Sequence, residues 1–205
     1  MFVHEEELKI LELYRRNIFA EHTIREIMEL LNKKSYNWTY KAVHNLQPLL
    51  KIKKRGNTKT ITADLNNYEL ITYLTLLDRK EAKEKTPEIT GRLIKSINKK
   101  TPQFILMLTG SYARGTQDKH SDIDIAIITD KTEKEIEPYI KEVRRFSDKN
   151  IETHIFSHQD FYNMLVANTE NFGKEVFRNH ITCYGAEAYY SIVRETIKDG
   201  LQEKI

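Results

Sequence analysis

Two aspartates separated by one residue are the first feature of the sequence that could do chemistry. Asp122 and Asp124 lie in the segment Ser-Asp-Ile-Asp-Ile-Ala-Ile-Ile, whose apolar residues predict a buried strand. Side chains two positions apart on a strand point to the same face, so the two carboxylates are expected to converge. Adjacent carboxylates repel each other unless a cation lies between them, and hard oxygen ligands suit Mg²⁺ or Mn²⁺. The pair therefore predicts a divalent metal site, although an isolated Asp-x-Asp is more often an exposed strand end or a turn.

A Gly-Ser pair precedes the aspartates at a distance that adds weight to the metal interpretation. Gly110 and Ser111 follow the apolar run 104–108, which predicts another buried strand, and ten residues separate Ser111 from Asp122. Glycine lets a backbone approach a phosphate closely, and a serine hydroxyl together with amides at a helix start can hydrogen-bond it. Arg114 could add positive charge there or pair with an acidic residue. Gly110, Ser111 and Arg114 are therefore the candidates for holding phosphate.

The whole pattern resembles the signature of the DNA polymerase β-like nucleotidyltransferase superfamily. Gly-Ser-x-Ala-Arg-Gly at 110–115 and Ser-Asp-Ile-Asp at 121–124 are most similar to the minimal nucleotidyltransferases, and the resemblance covers roughly residues 104–186. It implies transfer of a nucleoside monophosphate from an NTP, with ATP expected, to an acceptor hydroxyl. In that mechanism two Mg²⁺ or Mn²⁺ ions clamp the attacking and leaving oxygens, and the phosphate candidates become nucleotide-binding residues.

A third metal-binding carboxylate lies on the next strand in members of this superfamily. Residues 151–156 predict that strand, and Glu152 is the acid on it. The resemblance thus assigns Asp122, Asp124 and Glu152 as metal ligands and catalytic residues, and Glu152 would help to deprotonate the acceptor. His154 shares a face with Glu152 by the period of two, and registering the strand from His158 would give it the family position. The sequence favours Glu152 and leaves His154 open.

The acceptor and the biological role remain open at this level. The acceptor could be a protein, an RNA end or a small molecule such as an antibiotic, and a homodimer is also left open. One competing hypothesis is a DNA-binding regulator whose nucleotidyltransferase domain senses a nucleotide without turnover. Another is an antitoxin-like protein that uses the domain to modify or mask a partner.

The N-terminal part of the sequence has a different pattern. Apolar spacing predicts three short helices in residues 1–47, and the third has Tyr40, Val43 and Leu46 on its apolar face. Two short strands around Gly56 and Asn57 then predict a β-hairpin. This order resembles a winged helix-turn-helix domain, in which the third helix and the hairpin wing contact DNA.

Charge supports duplex DNA as a partner of this region. Residues 33–60 contain eight Lys or Arg and no Asp or Glu, although the whole chain has a net charge of only +3. An acid-free basic run favours a polyanion-facing surface, and the alternatives are a solvated loop or a protein-docking module. The candidates for DNA binding are Trp38, Thr39, Lys41, Lys51, Lys53, Lys54, Arg55 and Lys59.

Pattern changes predict an α+β chain in three parts. A winged-helix-like domain occupies 1–64, a helical connector 65–100, and a nucleotidyltransferase domain with a short mixed sheet flanked by helices 101–205. The composition, 40% hydrophobic and 31% charged, is that of a globular chain. No apolar run approaches the roughly 20 residues that span a bilayer, and the acidic start does not resemble a secretory signal. We therefore expect a cytoplasmic protein without a membrane partner.

Overall fold

The computed structural model describes residues 3–201, with only the backbone described at Arg55. Contacts between residues divide the chain into two compact units, one that extends to Leu77 and one from Asp78 to Leu201. None of the described helices combines the length and the apolar composition needed to cross a bilayer.

The first unit has the element order that the sequence predicts, three helices followed by a hairpin. Its elements are α1 (Glu5–Arg16), α2 (Ile24–Leu30), α3 (Tyr36–Asn45), β1 (Leu50–Arg55) and β2 (Thr58–Ala63). The helix starts are encoded locally, because the hydroxyls of Thr23 and Ser35 each accept a hydrogen bond from an amide three residues later, at 3.2 Å in both cases. The identification of this unit as a winged helix remains a prediction.

The hairpin is antiparallel and closes on a two-residue turn. Gly56 has φ +59°, the left-handed value that glycine adopts without a steric penalty. An isolated antiparallel bridge joins Ile61 to His22, and the Tyr14 hydroxyl donates to the Ile61 carbonyl at 3.0 Å. These contacts tie the hairpin to the helices of the unit.

The second unit is built on a four-stranded mixed sheet. A long helix, α4 (Tyr68–Lys85), crosses the boundary between the units. The sheet has the order β5-β4-β3-β6, in which β4 and β5 are parallel and the other neighbours are antiparallel. The elements after α4 are α5 (Glu88–Asn98), β3 (Ile105–Leu108), α6 (Gly110–Arg114), β4 (Ile123–Ile128), α7 (Glu133–Arg144), β5 (Ile151–Phe156), α8 (His158–Val166), α9 (Phe172–Arg178), β6 (Ile181–Tyr184) and α10 (Ala186–Lys198).

One face of this sheet is buried beneath α5 and α7. Ile123, Ile125 and Ile127 of β4 belong to a buried apolar cluster with Leu93 and Ile97 of α5 and with residues of α7. Alternation along β4 therefore sends its even-numbered side chains to the opposite face. The predicted α+β class with a short mixed sheet flanked by helices is confirmed.

The predicted three-part division differs from the observed one. Residues 65–100 do not form a separate connector, because α5 packs against α7 inside the second unit. The Ser96 hydroxyl, for example, donates to the Tyr139 carbonyl at 3.0 Å. The boundary between the two units, at Leu77 and Asp78, lies within α4.

Candidate active site

The sheet brings the two aspartates of the Asp-x-Asp pair to one face. Asp122 immediately precedes β4 and is exposed, whereas Asp124 is the second residue of the strand and is half-buried. The intervening Ile123 is buried in the apolar cluster on the other face. The local alternation of the sequence is thus sufficient to place both carboxylates together.

Gly110 lies directly against Asp124. Its φ is +61°, and a methyl group at its α-carbon would lie 2.8 Å from Cγ of Asp124 and closer still to Oδ2. The backbone amide of Thr109 donates to the Asp124 carbonyl at 2.8 Å, which fixes this approach. Position 110 therefore requires glycine because a larger residue would collide with the Asp124 carboxylate, in addition to any need for close approach to a phosphate. The sequence alone does not reveal this steric reason. Ser111 follows in α6 and is half-buried.

The register of the parallel strands decides which side chain of β5 lies beside Asp124. Asp124 pairs with Glu152, and Ala126 pairs with His154. Glu152 is therefore level with Asp124, whereas His154 lies two residues farther along β5 on the same face. Nε2 of His154 lies 3.6 Å from Oε1 of Glu152, and the imidazole packs on Phe172 with 4.5 Å between ring centroids. The assignment of Glu152 as a metal ligand stays a prediction, and the register favours it.

The charges at this face are predominantly negative. Burial raises the pKa of Asp124, the negative charges of Glu152 and Asp122 raise it further, and His154 and Arg114 oppose this effect. Within residues 3–201, neither Asp122 nor Asp124 forms an ion pair with a lysine or arginine. The carboxylates therefore repel each other, and among the residues that the structure describes no direct ion pair with a lysine or arginine offsets that repulsion at either aspartate.

The donor chemistry of this cluster fits Mg²⁺ or Mn²⁺. Carboxylate oxygens are the hard ligands that these ions prefer, and a cation would relieve the repulsion. In the described part of the chain, no group of three His, Cys, Asp or Glu side chains already converges at metal-ligand spacing. Asp122, Asp124 and Glu152 are therefore candidate ligands whose side chains would have to gather around an ion.

The sequence leaves open whether Arg114 adds positive charge near a phosphate or pairs with an acidic residue, and in the structure it pairs with an acidic residue. Its guanidinium lies 3.9 Å from the carboxylate of Glu175 in α9, and both side chains are largely exposed. An exposed pair at this distance is weak, so it does not prevent Arg114 from moving to a phosphate. Its assignment as a nucleotide-binding residue stays a prediction.

The segment between the Gly-Ser pair and Asp122 contains an anchored turn that sequence reasoning missed. Oδ1 of Asp118 accepts hydrogen bonds from the His120 amide at 2.8 Å and from the Ser121 hydroxyl at 3.1 Å. Lys149, from the loop before β5, donates to the Asp118 carbonyl and to the Tyr112 hydroxyl. An Asp followed three residues later by Ser is a turn signal in the sequence, but nothing local points to Lys149.

In the first unit, the exposed face of α3 differs from the predicted one. The sequence pattern predicts Tyr40 on the apolar face, but its side chain is 50% exposed. Thr39 is fully buried instead, and its hydroxyl donates to the Ser35 carbonyl at 3.2 Å. Thr39 is therefore unavailable for a direct DNA contact, and that part of the prediction is corrected. Trp38 is half-buried beneath the Lys33 ammonium, 4.5 Å from the ring centroid, and Lys41 is exposed.

The lysines of the hairpin fall into two kinds. Lys51 and Lys53 form ion pairs with Asp64 and Glu21, at 2.8 Å and 2.6 Å. Lys54 and Lys59 lie directly opposite each other on β1 and β2 and are exposed, and the described residues offer them no acidic partner. The side chain of Arg55, the remaining hairpin candidate, lies outside the described atoms.

Part of the second unit is similar to known proteins. Residues 90–177 match the family model described as "Nucleotidyltransferase domain". The chain is also similar to a solved structure described as "Crystal structure of the toxin-antitoxin with AMP-PNP", with 20% identity over 53% of this chain and 83% of that chain and a TM-score of 0.39. A search of curated proteins gave no significant match. The matched residues 90–177 include Gly110, Asp122, Asp124 and Glu152.

Proposed function

We propose that the second unit is a metal-dependent enzyme that transfers a nucleoside monophosphate from an NTP, with ATP expected, to an acceptor hydroxyl. The observation that carries this proposal is the pairing of Asp124 with Glu152 in the parallel register of β4 and β5. It brings an acid of β5 beside the Asp-x-Asp pair in a region that matches the nucleotidyltransferase domain. The absence of a Lys or Arg ion pair on either aspartate, among residues 3–201, supports a bound cation as the neutralising partner.

The residues of the site have distinct roles in this reaction. Asp122, Asp124 and Glu152 would hold Mg²⁺ or Mn²⁺, two ions being expected from the family resemblance. Bound metal would neutralise triphosphate oxygens and stabilise the charge of the transferred phosphoryl group. Gly110 leaves room for the Asp124 carboxylate, and the Ser111 hydroxyl would donate to a phosphate oxygen.

Bond formation and proton transfer follow from the same arrangement. The acceptor oxygen forms a bond to the α-phosphorus while the bond from that phosphorus to the bridging oxygen breaks and pyrophosphate leaves. Glu152 is more exposed than Asp124, and its carboxylate would accept the proton of the acceptor hydroxyl. The guanidinium of Arg114 would break its ion pair with Glu175 and bind the triphosphate instead.

The proposal is tested by removing the two aspartate charges together. In Asp122→Asn combined with Asp124→Asn, we expect Mg²⁺-dependent ATP binding to be lost with the fold intact, because neutral amides are poor ligands for a hard cation. Calorimetry measures the binding and circular dichroism the fold. The matched control replaces two exposed acids elsewhere, Asp148→Asn with Glu133→Gln, and should bind like wild type. Undiminished Mg²⁺-dependent ATP affinity in the aspartate double variant would remove these residues from the site.

A turnover assay distinguishes the enzyme hypothesis from the two competing hypotheses, a nucleotide-sensing regulator and a protein that masks a partner. The protein is incubated with ATP labelled at the α-phosphate and with cell extract, purified RNA or small hydroxyl compounds, with and without Mg²⁺. Label transferred to protein, RNA or a small molecule identifies the acceptor class. Metal-dependent ATP binding with no transfer to any acceptor would favour a regulator that senses the nucleotide or a protein that masks a partner.

We also propose that the first unit binds duplex DNA, because two lysines face each other at the end of its hairpin. Like charges directly opposite on paired strands are destabilising, and a phosphate between Lys54 and Lys59 would relieve that repulsion. In Lys54→Ala with Lys59→Ala, we expect weaker binding and a salt dependence that is shallower by about one counterion per lysine. Fluorescence anisotropy with a labelled duplex at several salt concentrations measures both.

The control for the DNA experiment comes from the paired lysines of the same hairpin. Lys51→Ala with Lys53→Ala removes the same charge. The ammonium groups of these two lysines already pair with Asp64 and Glu21, so they are less available to a phosphate and the loss of DNA affinity should be smaller. Equal losses in the two double variants would show that position on the hairpin does not matter. No binding at low salt by wild type would end the proposal.

A further inference from the structure

We infer that Lys149 is a positioning residue that fixes Asp122 by clamping the loop between α6 and β4. This inference rests on the proposed nucleotidyl transfer, since it assigns to Lys149 the placement of a metal-binding carboxylate. Lys149 lies in the loop between α7 and β5, far from Asp122 in sequence, and is half-buried.

The ammonium group of Lys149 joins two segments that flank the site. It donates to the Tyr112 hydroxyl at 2.6 Å and to the Asp118 carbonyl at 3.2 Å, and it lies 5.2 Å from the centroid of the Tyr112 ring. Tyr112 belongs to α6 and packs against the apolar cluster of the second unit. The ammonium therefore ties the loop to a residue that the core already holds.

The loop itself is a turn that ends at Asp122. The Asp118 amide donates to the Ser121 hydroxyl at 2.8 Å, and Oδ1 of Asp118 accepts from that hydroxyl at 3.1 Å and from the His120 amide at 2.8 Å. Ser121 is the residue immediately before Asp122. Holding the Asp118 carbonyl therefore holds a closed turn whose last residue adjoins the aspartate.

The other side of Asp122 is fixed by the neighbour of Lys149. The Ile123 amide donates to the Asn150 carbonyl at 2.9 Å, which begins the pairing of β4 with β5. The two consecutive residues Lys149 and Asn150 thus contact the backbone on both sides of Asp122, one at the turn before it and one at the strand after it. Because Asp122 is exposed, we expect its placement to depend on these backbone contacts on either side of it rather than on packing of its own side chain.

A clamp of this kind acts on metal affinity rather than on the chemistry of the ligand. Releasing the turn adds conformations to the free protein, and the ion must then order the loop as it binds. Groups that orient metal ligands typically change metal affinity by about tenfold to a hundredfold when they are removed. A residue that merely stabilised the fold would lower the melting temperature and leave the metal affinity unchanged.

The experiment uses the full chain and three substitutions of the clamp. Lys149→Met keeps the length of the side chain and removes both hydrogen bonds, Lys149→Arg keeps a donor, and Tyr112→Phe removes one acceptor but keeps the ring. The matched control is Lys119→Met, which removes an exposed lysine from the same loop. Amide hydrogen exchange of residues 116–122 without nucleotide reports on the clamp, and calorimetry with Mn²⁺ and ATP reports on the site.

We expect Lys149→Met to exchange faster at 116–122 and to bind Mn²⁺ with ATP about tenfold more weakly, with melting close to wild type. Lys149→Arg should return to within about twofold of wild type, Tyr112→Phe should fall between, and Lys119→Met should match wild type. Unchanged exchange at 116–122 in Lys149→Met, or faster exchange with unchanged Mn²⁺ affinity, overturns the inference while leaving the proposed function standing. A wild-type protein that binds no Mn²⁺ with ATP overturns the proposed function and the positioning role together.

Discussion

Replacing Gly110 with alanine tests the close approach between the start of α6 and the Asp-x-Asp pair. The methyl group would lie 2.8 Å from Cγ and 3.2 Å from Cβ of Asp124, and closer to Oδ2, so the carboxylate would have to rotate away. The backbone at Gly110 also has φ +61°, a conformation that alanine adopts at a cost of about 1–2 kcal/mol. The substitution thus combines backbone strain with a displaced carboxylate.

The two effects can be separated with a second glycine in the same segment. Gly115 has φ +70°, but a methyl group there would meet no atom within 4 Å. Gly115→Ala should therefore lose only the backbone contribution, about 1–2 kcal/mol of the free energy of unfolding. Gly110→Ala should lose that amount and up to about 1.5 kcal/mol more, since a side chain forced from its rotamer costs roughly 0.5–1.5 kcal/mol.

The assays are urea unfolding for stability and calorimetry for Mg²⁺-dependent ATP binding. We expect Gly110→Ala to lose metal-dependent binding almost as completely as a variant without Asp124, because the displaced oxygen can no longer join Asp122 at an ion. Gly115→Ala should keep that binding within a few fold of wild type. If the two alanine variants match in both stability and ATP affinity, then Gly110 does not lie against Asp124, and the geometry on which the site rests is refuted.

Two further outcomes follow from the charges of the site. Because Asp124 has a raised pKa, the folded protein holds a proton that the unfolded chain releases, so without metal its stability should fall as pH rises through the carboxyl range. Asp124→Asn should remove this pH-dependent loss of stability and melt at a higher temperature than metal-free wild type at neutral pH. Equal melting temperatures would contradict the repulsion between Asp124 and its neighbouring carboxylates. Glu152→Gln should abolish Mg²⁺-dependent transfer, and His154→Ala should reduce it less, since Glu152 is the residue level with Asp124. A fully active Glu152→Gln would remove that carboxylate from the reaction.

Much of the fold follows from short-range signals in the sequence. The predicted strand 151–156 matches β5, and Ser35 and Thr23 begin their helices by accepting a hydrogen bond from an amide three residues later. The shared face of Asp122 and Asp124 is equally local, because it depends only on the alternation of a strand. These features need no knowledge of distant residues, and all of them could be predicted.

The exposed face of α3 shows where local reasoning fails. A helix with Thr39, Tyr40 and Val43 offers two apolar stripes that differ by one position, and the larger side chain of Tyr40 favours the wrong one. Thr39 is buried instead because its hydroxyl is satisfied by the Ser35 carbonyl within the helix, which makes its burial inexpensive. Only the packing of α3 in its unit selects between the two stripes.

The candidate site divides in the same way between sequence and tertiary structure. The sequence by itself determined that a glycine, two aspartates and an acid on the next strand are present, because each is recognised from its neighbours in the chain. The preference for Glu152 over His154 depends on the register of β4 against β5, and the proposed clamp depends on Lys149 reaching Tyr112 across 37 residues of sequence. Register and long-range contacts are set by how buried faces pack together, and no short segment of the chain contains that information.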